Sequence, residues 1–335
     1  MKLPLVFAAL LALAASTGAA SAGPSGLKVV ASIPGPDGGW DLASFDTTTR
    51  RVLIAHGDRV TAIDVDSGRV LGDFAKGSHL HSVVPVPGTN RLVTTNSGDN
   101  TARIIDATSG AILGSVPAAT DADSATFDPG SGLVVVIGGD SGQITLVDPR
   151  AMKAVTNIPV GGSLEFPQAD GHGRLFINAE DTHEIVVVDL AARKVTARYP
   201  MPGCLKPTGL ALVKGGRLVS SCANGVVKIV NAADGREIAS LPIGVGPDAV
   251  IYDAARGLAL VPSGRSGTLA VIALSGPNAN RVIDTIPTQI GARTGTVDPK
   301  TGRVYLPTAQ YNLPVPAGQR PTTKPGTFAV LVLGR

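Results

Sequence analysis

Two histidines separated by one residue, His79 and His81, have the side chains in this chain best suited to hold a metal ion. On an extended strand, residues two apart point to the same side, so both imidazoles would face one site. Imidazole nitrogens and a carboxylate form a usual donor set for divalent metals, and Asp123 or Asp41 would supply the carboxylate. No cofactor is expected apart from this one candidate, a divalent metal at His79, His81 and Asp123.

These residues belong to a larger set of polar and aromatic side chains that stand before successive apolar segments and differ from one segment to the next. Side chains that vary on a repetitive scaffold are what a ligand site would show. The candidate ligand-binding residues are Trp40, Asp41, His79, His81, Asp121, Asp123, Glu165, Lys206, Arg293, Tyr311 and Arg320. The four acidic residues could instead hold calcium, and a solvated funnel that binds nothing tightly is the structural alternative.

One short segment imitates the signature of serine proteases. The residues GDSG at 139–142 occupy the same position in a repeated turn as SGDN at 97–100, one copy earlier, so a hairpin explains them better than a nucleophile does. The sequence has no G-x-S-x-G, H-E-x-x-H, phosphate-binding loop or C-x-x-C-H motif. No residue is therefore predicted to be catalytic.

A repeat of about 42 residues must position these side chains. Aligned on the residue that ends an apolar run, the first copies follow at steps of 42, 42, 41 and 42 residues. The aligned residues are Asp64, Asp106, Asp148, Asp189 and Asn231. A sixth copy places Ala273 in register, and a seventh runs from Arg303 through an inserted loop to the C-terminus. Seven such copies indicate an array of similar structural units.

Each copy contains four short apolar runs separated by turns rich in Gly, Asn and Asp, and none has a helical pattern. Four strands in about 42 residues are typical of one blade of a β-propeller. We therefore predict an all-β fold, a seven-bladed β-propeller of four-stranded antiparallel blades. The apolar run at residues 27–34 has no three strands before it, so this N-terminal strand is expected to complete the last blade and close the ring.

The segment RLVTTNSGDNTARIIDATSG, residues 91–110, resembles the repeat of the YncE-like, YVTN-repeat family of bacterial exported β-propeller proteins. The resemblance extends over all seven copies. It implies a periplasmic, non-catalytic seven-bladed propeller. The chain departs from the repeat at Ala273, where the pattern has Asp, and in the insertion of the seventh copy.

The first 22 residues have the composition of a secretory signal peptide, with Lys2, an apolar run at residues 3–15 and a small-residue cleavage site ending at Ala22. Residues 23–335 would then form a single propeller domain. Residues 310–327 would form a Pro-rich loop in blade 7 on its top face, the face that carries the candidate ligand-binding residues. We expect a periplasmic or secreted monomer without a membrane span.

The two cysteines, Cys204 and Cys222, flank a predicted hairpin whose turn lies at residues 214–216. Antiparallel pairing about this turn would bring them within a few residues of register. An oxidising compartment then favours a disulfide, with two separate buried thiols as the alternative.

The net charge of the chain indicates which classes of partner are favoured. The formal net charge of +3 falls to about +2 without the leader, so nucleic acid is not favoured. The sequence favours an exported, non-catalytic binding module that uses its top face and the mouth of its central channel to bind a protein or a small molecule. A metal-dependent hydrolase of the lactonase or esterase type, with its site at the channel mouth, is the alternative, and a nucleic-acid binder is the third hypothesis.

Overall fold

A computed structural model describes residues 24–314 and 321–335. The predicted signal peptide at residues 1–22 and the candidate Arg320 lie outside the described residues. Within the described ranges the regular secondary structure consists of β-strands alone. This confirms the all-β prediction. The same ranges contain no helix with the length and apolarity needed to cross a membrane.

The strands of the first half of the chain are β1 (Lys28–Pro34), β2 (Ala43–Asp46), β3 (Arg51–Asp64), β4 (Val70–Val86), β5 (Arg91–Asn96), β6 (Thr101–Asp106), β7 (Ile112–Pro117), β8 (Ala122–Asp128), β9 (Leu133–Gly138), β10 (Gln143–Asp148), β11 (Lys153–Pro159), β12 (Leu164–Ala169) and β13 (Arg174–Ala179). Those of the second half are β14 (Glu184–Asp189), β15 (Lys194–Pro200), β16 (Pro207–Val213), β17 (Arg217–Cys222), β18 (Val226–Asn231), β19 (Glu237–Pro242), β20 (Ile251–Asp253), β21 (Leu258–Ser263), β22 (Thr268–Ala273), β23 (Arg281–Pro287), β24 (Thr296–Val297), β25 (Val304–Thr308) and β26 (Ala329–Gly334).

These strands form six antiparallel sheets in the described part of the chain. Four sheets contain four consecutive strands each, from β8 to β23, and a fifth combines β24, β25 and β26 with β1. The remaining sheet has six strands, β2 to β7. The predicted number of seven four-stranded blades is therefore wrong, because the structure has six sheets.

Two long strands account for the difference in number. Strand β3 has 14 residues and β4 has 17, and each covers a segment in which the repeat predicts two strands and a turn. Gly57 and His79, with φ of 64° and 49°, let the backbone bend inside these strands. Pairing continues across the bend, with Gly57 opposite Leu80. The predicted boundary between the first two blades is thus bridged by hydrogen bonds and does not separate two sheets.

The two ends of the described chain meet in one sheet. Strand β1 pairs antiparallel with β26, from Lys28 opposite Gly334 to Pro34 opposite Ala329. The N-terminal strand therefore supplies the fourth strand of the sheet that the C-terminal strands begin.

Seven strands lie side by side around a shared cavity. Strand β2 contacts β4, and the series of contacts continues through β8, β12, β16, β20 and β24, which in turn contacts β2. The cavity is about 420 Å³ in volume and is lined by Phe45, Phe127, Phe166 and Tyr252 among others. We call this space the central channel.

The apolar core lies between successive sheets. For example, Val135 and Ile144 of one sheet pack with Ile177 and Val186 of the next, and all four are fully buried. Both faces of a sheet are therefore covered, which explains why several strands are apolar at successive positions.

Arginines at the ends of the sheets join one sheet to the next. The guanidinium of Arg91 donates to the backbone carbonyl of Arg150 at 2.7 Å, and that of Arg217 donates to Leu274 at 2.8 Å. Arg50 donates to both carboxylate oxygens of Asp298 at 3.2 and 3.0 Å. This pair joins the sheet of β2 to the sheet of β24.

The predicted disulfide is confirmed. Cys204 and Cys222 are bonded, with their Cα atoms 5.4 Å apart, and both residues are buried. The bond fastens the segment before β16 to the end of β17.

Removal of this disulfide should lower stability measurably. For a closed loop of roughly this length, the entropy that a disulfide removes from the unfolded chain corresponds to about 3 kcal/mol. We expect the double variant Cys204→Ala, Cys222→Ala to lose about that free energy of unfolding, as measured by urea denaturation. The oxidised and reduced wild-type proteins provide the control, and identical midpoints for all three would contradict the prediction.

Candidate ligand-binding site at the channel mouth

One position recurs at the entry to each of the seven innermost strands. It lies four or five residues before the end of β2, β4, β8, β12, β16, β20 and β24. We call these residues the mouth ring, and they are Asp41, His81, Asp123, Glu165, Thr208, Asp248 and Arg293. Five of them were candidates from sequence, whereas Thr208 and Asp248 were not in that set.

Asp41 lies at the centre of an ion-pair network in the mouth ring. Nδ1 of His81 is 2.7 Å from Oδ2 of Asp41 and 3.6 Å from Oδ1 of Asp123. On the other side, Nη2 of Arg293 is 3.7 Å from Oδ1 of Asp41. Nε of Arg293 is also 2.7 Å from Oδ2 of Asp248. Both cationic side chains of the ring are therefore already paired with carboxylates.

The network shifts the pKa values of Asp123 and His81 upward. Burial and the neighbouring carboxylates raise the pKa of Asp123 to about 7, although the charge of His81 acts in the opposite direction. Burial alone would lower the pKa of His81, but the hydrogen bond to Asp41 and the charges of Asp123 and Asp41 raise it to about 9. At neutral pH His81 is thus a cation, and Asp123 is about half protonated.

Glu165 is the carboxylate of the ring without a counter-charge. Among the described residues its side chain has no hydrogen bond and no ion pair. Burial, followed by the charges of Asp123 and Asp248, raises the pKa of Glu165 well above its usual range. The mouth ring therefore holds four carboxylates against two cationic side chains, and the excess lies on the side of Asp123 and Glu165.

Asp121 adds a further carboxylate beside Asp123. A Cβ atom built on Gly139 would lie 3.0 Å from Oδ2 of Asp121 and 3.1 Å from Oδ2 of Asp123. The backbone N–H of Asp140 donates to Asp121 at 3.3 Å. The two carboxylates thus converge on the hairpin between β9 and β10, where a glycine leaves room for them.

The imidazole of His79 contacts Ser97 and does not join the metal-ligand group that the sequence predicted. Oγ of Ser97 is 2.9 Å from Nδ1 of His79 and 3.0 Å from Nε2 of His81. The donor atoms that lie within 4.8 Å of one another belong to Asp41, His81 and Asp123, and His79 is not part of that group. The positive φ of His79 interrupts the extended conformation on which the same-side argument depends.

Asp41, His81 and Ser97 are hydrogen-bonded in the order found in the Asp-His-Ser triad of hydrolases. In such a triad a neutral imidazole accepts the serine proton. The pKa of His81, raised to about 9, keeps this imidazole protonated at neutral pH. Its Nε2–H therefore donates to Ser97, whose own hydroxyl hydrogen is directed toward His79. His81 therefore does not activate Ser97 as a nucleophile in this state.

A fluorophosphonate probe should leave Ser97 unmodified at pH 7, because the protonated imidazole of His81 cannot accept its proton. Intact-mass measurement of the treated protein tests this, with trypsin as the positive control and Ser97→Ala as the matched variant. An adduct on the wild-type protein that disappears in Ser97→Ala would contradict the prediction.

Described residues of the Pro-rich segment border two cavities at the channel mouth. They have volumes of about 600 and 490 Å³, and both are lined by Arg293, Tyr311 and Pro321. Tyr311 pairs with Thr323 in an isolated β-bridge, so the described ends of the segment at residues 310–327 lie together beside the mouth ring.

Trp40 and Lys206 have contrasting positions in this site. Trp40 is only 6% exposed and packs against Phe328 and Tyr311, at centroid distances of 5.4 and 6.4 Å. It mainly supports the segment that borders the cavities. Lys206 is exposed, and its Nζ lies 3.4 Å from Oε2 of Glu180.

Sequence reasoning missed Ser97 and Glu180 because it interpreted the hairpins after the second strand of each repeat as structural turns. Ser97 and Glu180 each follow the second strand of a repeat, as does Gly139. Their equal spacing in the repeat is the signal that could have identified them. Thr208 could have been identified in the same way, from its equal distance to the turn that follows.

Comparisons with known proteins address the architecture. No protein-family model matches the chain, and no curated protein matches it. Among solved structures, it resembles a chain of hydrazine synthase from Kuenenia stuttgartiensis, with 15% identity, a TM-score of 0.69, and coverage of 82% of this chain and 92% of that one. It also resembles a chain of a mitotic checkpoint complex, with 14% identity, a TM-score of 0.72 and coverage of 92% and 96%. For U3-55K the values are 13%, 0.74, 91% and 98%.

These likenesses and the sheet arrangement define the class of protein. The chain is an all-β protein with the β-propeller arrangement of small antiparallel sheets. At 13 to 15% identity the likeness concerns the fold alone.

Proposed function

We propose that this protein is an exported, periplasmic binding module without catalytic activity, and that it holds a positively charged group of its ligand in the mouth ring. The observation that carries this function is the imbalance of the ring, in which Glu165 has no partner among the described residues and Asp123 shares His81 with Asp41. A carboxylate that is partly removed from water and has no partner is costly. A cation from outside would compensate that cost.

Two sources of positive charge fit this site, a metal ion and an organic ammonium or guanidinium group. The group of Asp41, His81 and Asp123 offers donor atoms for a metal. A metal at Nδ1 of His81 must first displace a proton, because the pKa of His81 is raised to about 9. An organic cation beside Glu165 leaves that proton in place, and we favour this source.

Isothermal titration calorimetry with calcium chloride, zinc chloride and butylammonium chloride tests the function. At least one of these cations should bind, and Glu165→Gln should weaken that binding at least tenfold. Asp140→Asn, an exposed acid on a neighbouring hairpin, is the matched control and should bind normally. Absence of binding by every cation at millimolar concentration, or undiminished binding by Glu165→Gln, would overturn the proposal.

A metal-dependent hydrolase is the second candidate, and the convergence of Asp41, His81 and Asp123 is the observation that favours it. Turnover of nitrophenyl acetate or of a small lactone that requires zinc or calcium, and that Asp123→Asn abolishes, would support it. If metal binds and no ester or lactone is hydrolysed, the non-catalytic function is favoured.

We also infer that the ring of the propeller is closed by β1, as the resemblance to YncE-like proteins implies. The contact of β24 with β2 supports this inference. The hydroxyl of Thr294 also donates to the carbonyl of Asp41 at 2.8 Å, and Arg50 pairs with Asp298. Deletion of residues 27–34 should then lower the melting temperature strongly, and an unchanged value would contradict ring closure.

N-terminal sequencing of the periplasmic fraction tests cleavage near Ala22.

A further inference from the structure

The residues three positions before the mouth ring divide the top face into two unlike parts. Before Thr208, Asp248 and Arg293 they are Leu205, Val245 and Ile290. Before the other four members of the ring they are only Gly, Ser or Thr, namely Gly38, Ser78, Thr120 and Gly162. Three consecutive repeats thus place a large apolar residue where the others have a small or polar one.

These apolar side chains are exposed. Leu205 is 53% exposed, Val245 42% and Ile290 46%, and Leu313 of the Pro-rich segment is 59% exposed. We call these four residues the apolar crescent. None of them contributes to the described core clusters, so the fold does not require their apolar character. Exposed apolar groups gathered on one part of a surface commonly mark a contact with another molecule.

The crescent borders the cavity of about 490 Å³ at the channel mouth. Ile290 and Leu313 line this cavity together with Glu180 and Asp248. Lys206 pairs with Glu180 and Arg293 pairs with Asp248, so these two carboxylates are balanced. The acidic groups of the mouth ring without a counter-ion of their own are Glu165 and Asp123. The apolar crescent thus lies beside a ring that is rich in acidic groups.

We propose that the partner is a protein segment that places a lysine or arginine side chain in the mouth ring and apolar side chains on the crescent. This inference rests on the proposed function and adds the class of ligand to it. Lysine and arginine join a cationic end to a long apolar stem, so one side chain matches both the apolar crescent and the mouth ring. Charge complementarity selects this occupant over an acidic or neutral segment.

A positional-scanning library of fluorescent hexapeptides tests the proposal on the full-length exported protein. One central position is fixed as lysine, arginine, norleucine or glutamate, and the other positions are randomised. The lysine or arginine pools should bind at least tenfold more tightly than the norleucine and glutamate pools, with Leu, Ile, Val or Phe selected at a flanking position. Equal binding by the norleucine pool, or no binding by any pool, would overturn the proposal.

Two sets of variants separate the contributions of the ring and the crescent. Glu165→Gln should abolish the preference for lysine. The triple variant Leu205→Ser, Val245→Ser, Ile290→Ser should keep that preference and lose the selection of apolar neighbours. Ile112→Ser, at a similarly exposed residue of the outer strand β7, is the matched control and should change neither property. If small cations bind through Glu165 while no apolar neighbour is selected, the proposed function stands and this inference fails.

Discussion

The Asp123→Asn variant is expected to be more stable than the wild-type protein at pH 8 by as much as about 4 kcal/mol and about equally stable at pH 4. Burial and the surrounding carboxylates raise the pKa of Asp123 from 3.8 to about 7. Between these values the folded protein keeps a proton on Asp123 that the unfolded chain has released. The free energy of unfolding therefore falls as pH rises through this interval. About three pKa units at 1.36 kcal/mol per unit give the expected difference.

Urea denaturation of both proteins from pH 4 to pH 8 measures this difference. The difference in the free energy of unfolding should grow between pH 4 and pH 7 and remain constant above pH 7. Asp140→Asn removes an exposed acid nearby and should follow the wild-type protein at every pH. A difference that is the same at pH 4 and pH 8 would contradict the raised pKa of Asp123.

This cost in stability has a functional meaning. The carboxylates of the mouth ring are least favourable in the free protein at the pH at which they are charged. A ligand that brings a positive charge gains most from such a site, because it removes a repulsion that already exists. The excess of carboxylates over cations is thus the feature of the site that is hardest to explain by folding alone.

The sequence predicted the β-strands and their grouping well, because each repeat has the same apolar runs and the same turns. The number of sheets could not be predicted in the same way. Gly57 and His79 occupy positions that look like turns, yet strand pairing continues around them with positive φ. Whether a turn interrupts a sheet depends on the pairing partner across it, here Leu80, and no periodicity in one strand shows that.

The candidate site was predicted in part for a similar reason. Entry positions such as Asp41, Asp123 and Glu165 are set by the repeat, so their gathering around one channel follows from the period. The partners of the two histidines are not set by the period. Ser97 approaches them from the hairpin that follows β5, and only the three-dimensional structure reveals this contact.

Binding of a cationic ligand is expected to strengthen as pH rises, and the range in which it does so identifies the cation. The ionised form of Asp123 is the form that attracts a cation, and with a pKa of about 7 only about 1% of it is ionised at pH 5. For a peptide that carries lysine, affinity should therefore rise about 100-fold between pH 5 and pH 8. The contribution of Asp123 should then level off above pH 8, because this carboxyl group is almost fully ionised there.

A metal ion should behave differently above pH 7. It needs the unprotonated Nδ1 of His81, whose pKa is raised to about 9, so its affinity should continue to rise up to that pH. Calorimetric titrations at pH 5, 6, 7, 8 and 9, each in two buffers with different ionisation enthalpies, measure both the affinity and the number of protons released. Asp123→Asn should bind more weakly and lose the increase between pH 5 and pH 7. An affinity independent of pH in the wild-type protein would mean that the ligand does not contact Asp123 and would contradict this prediction.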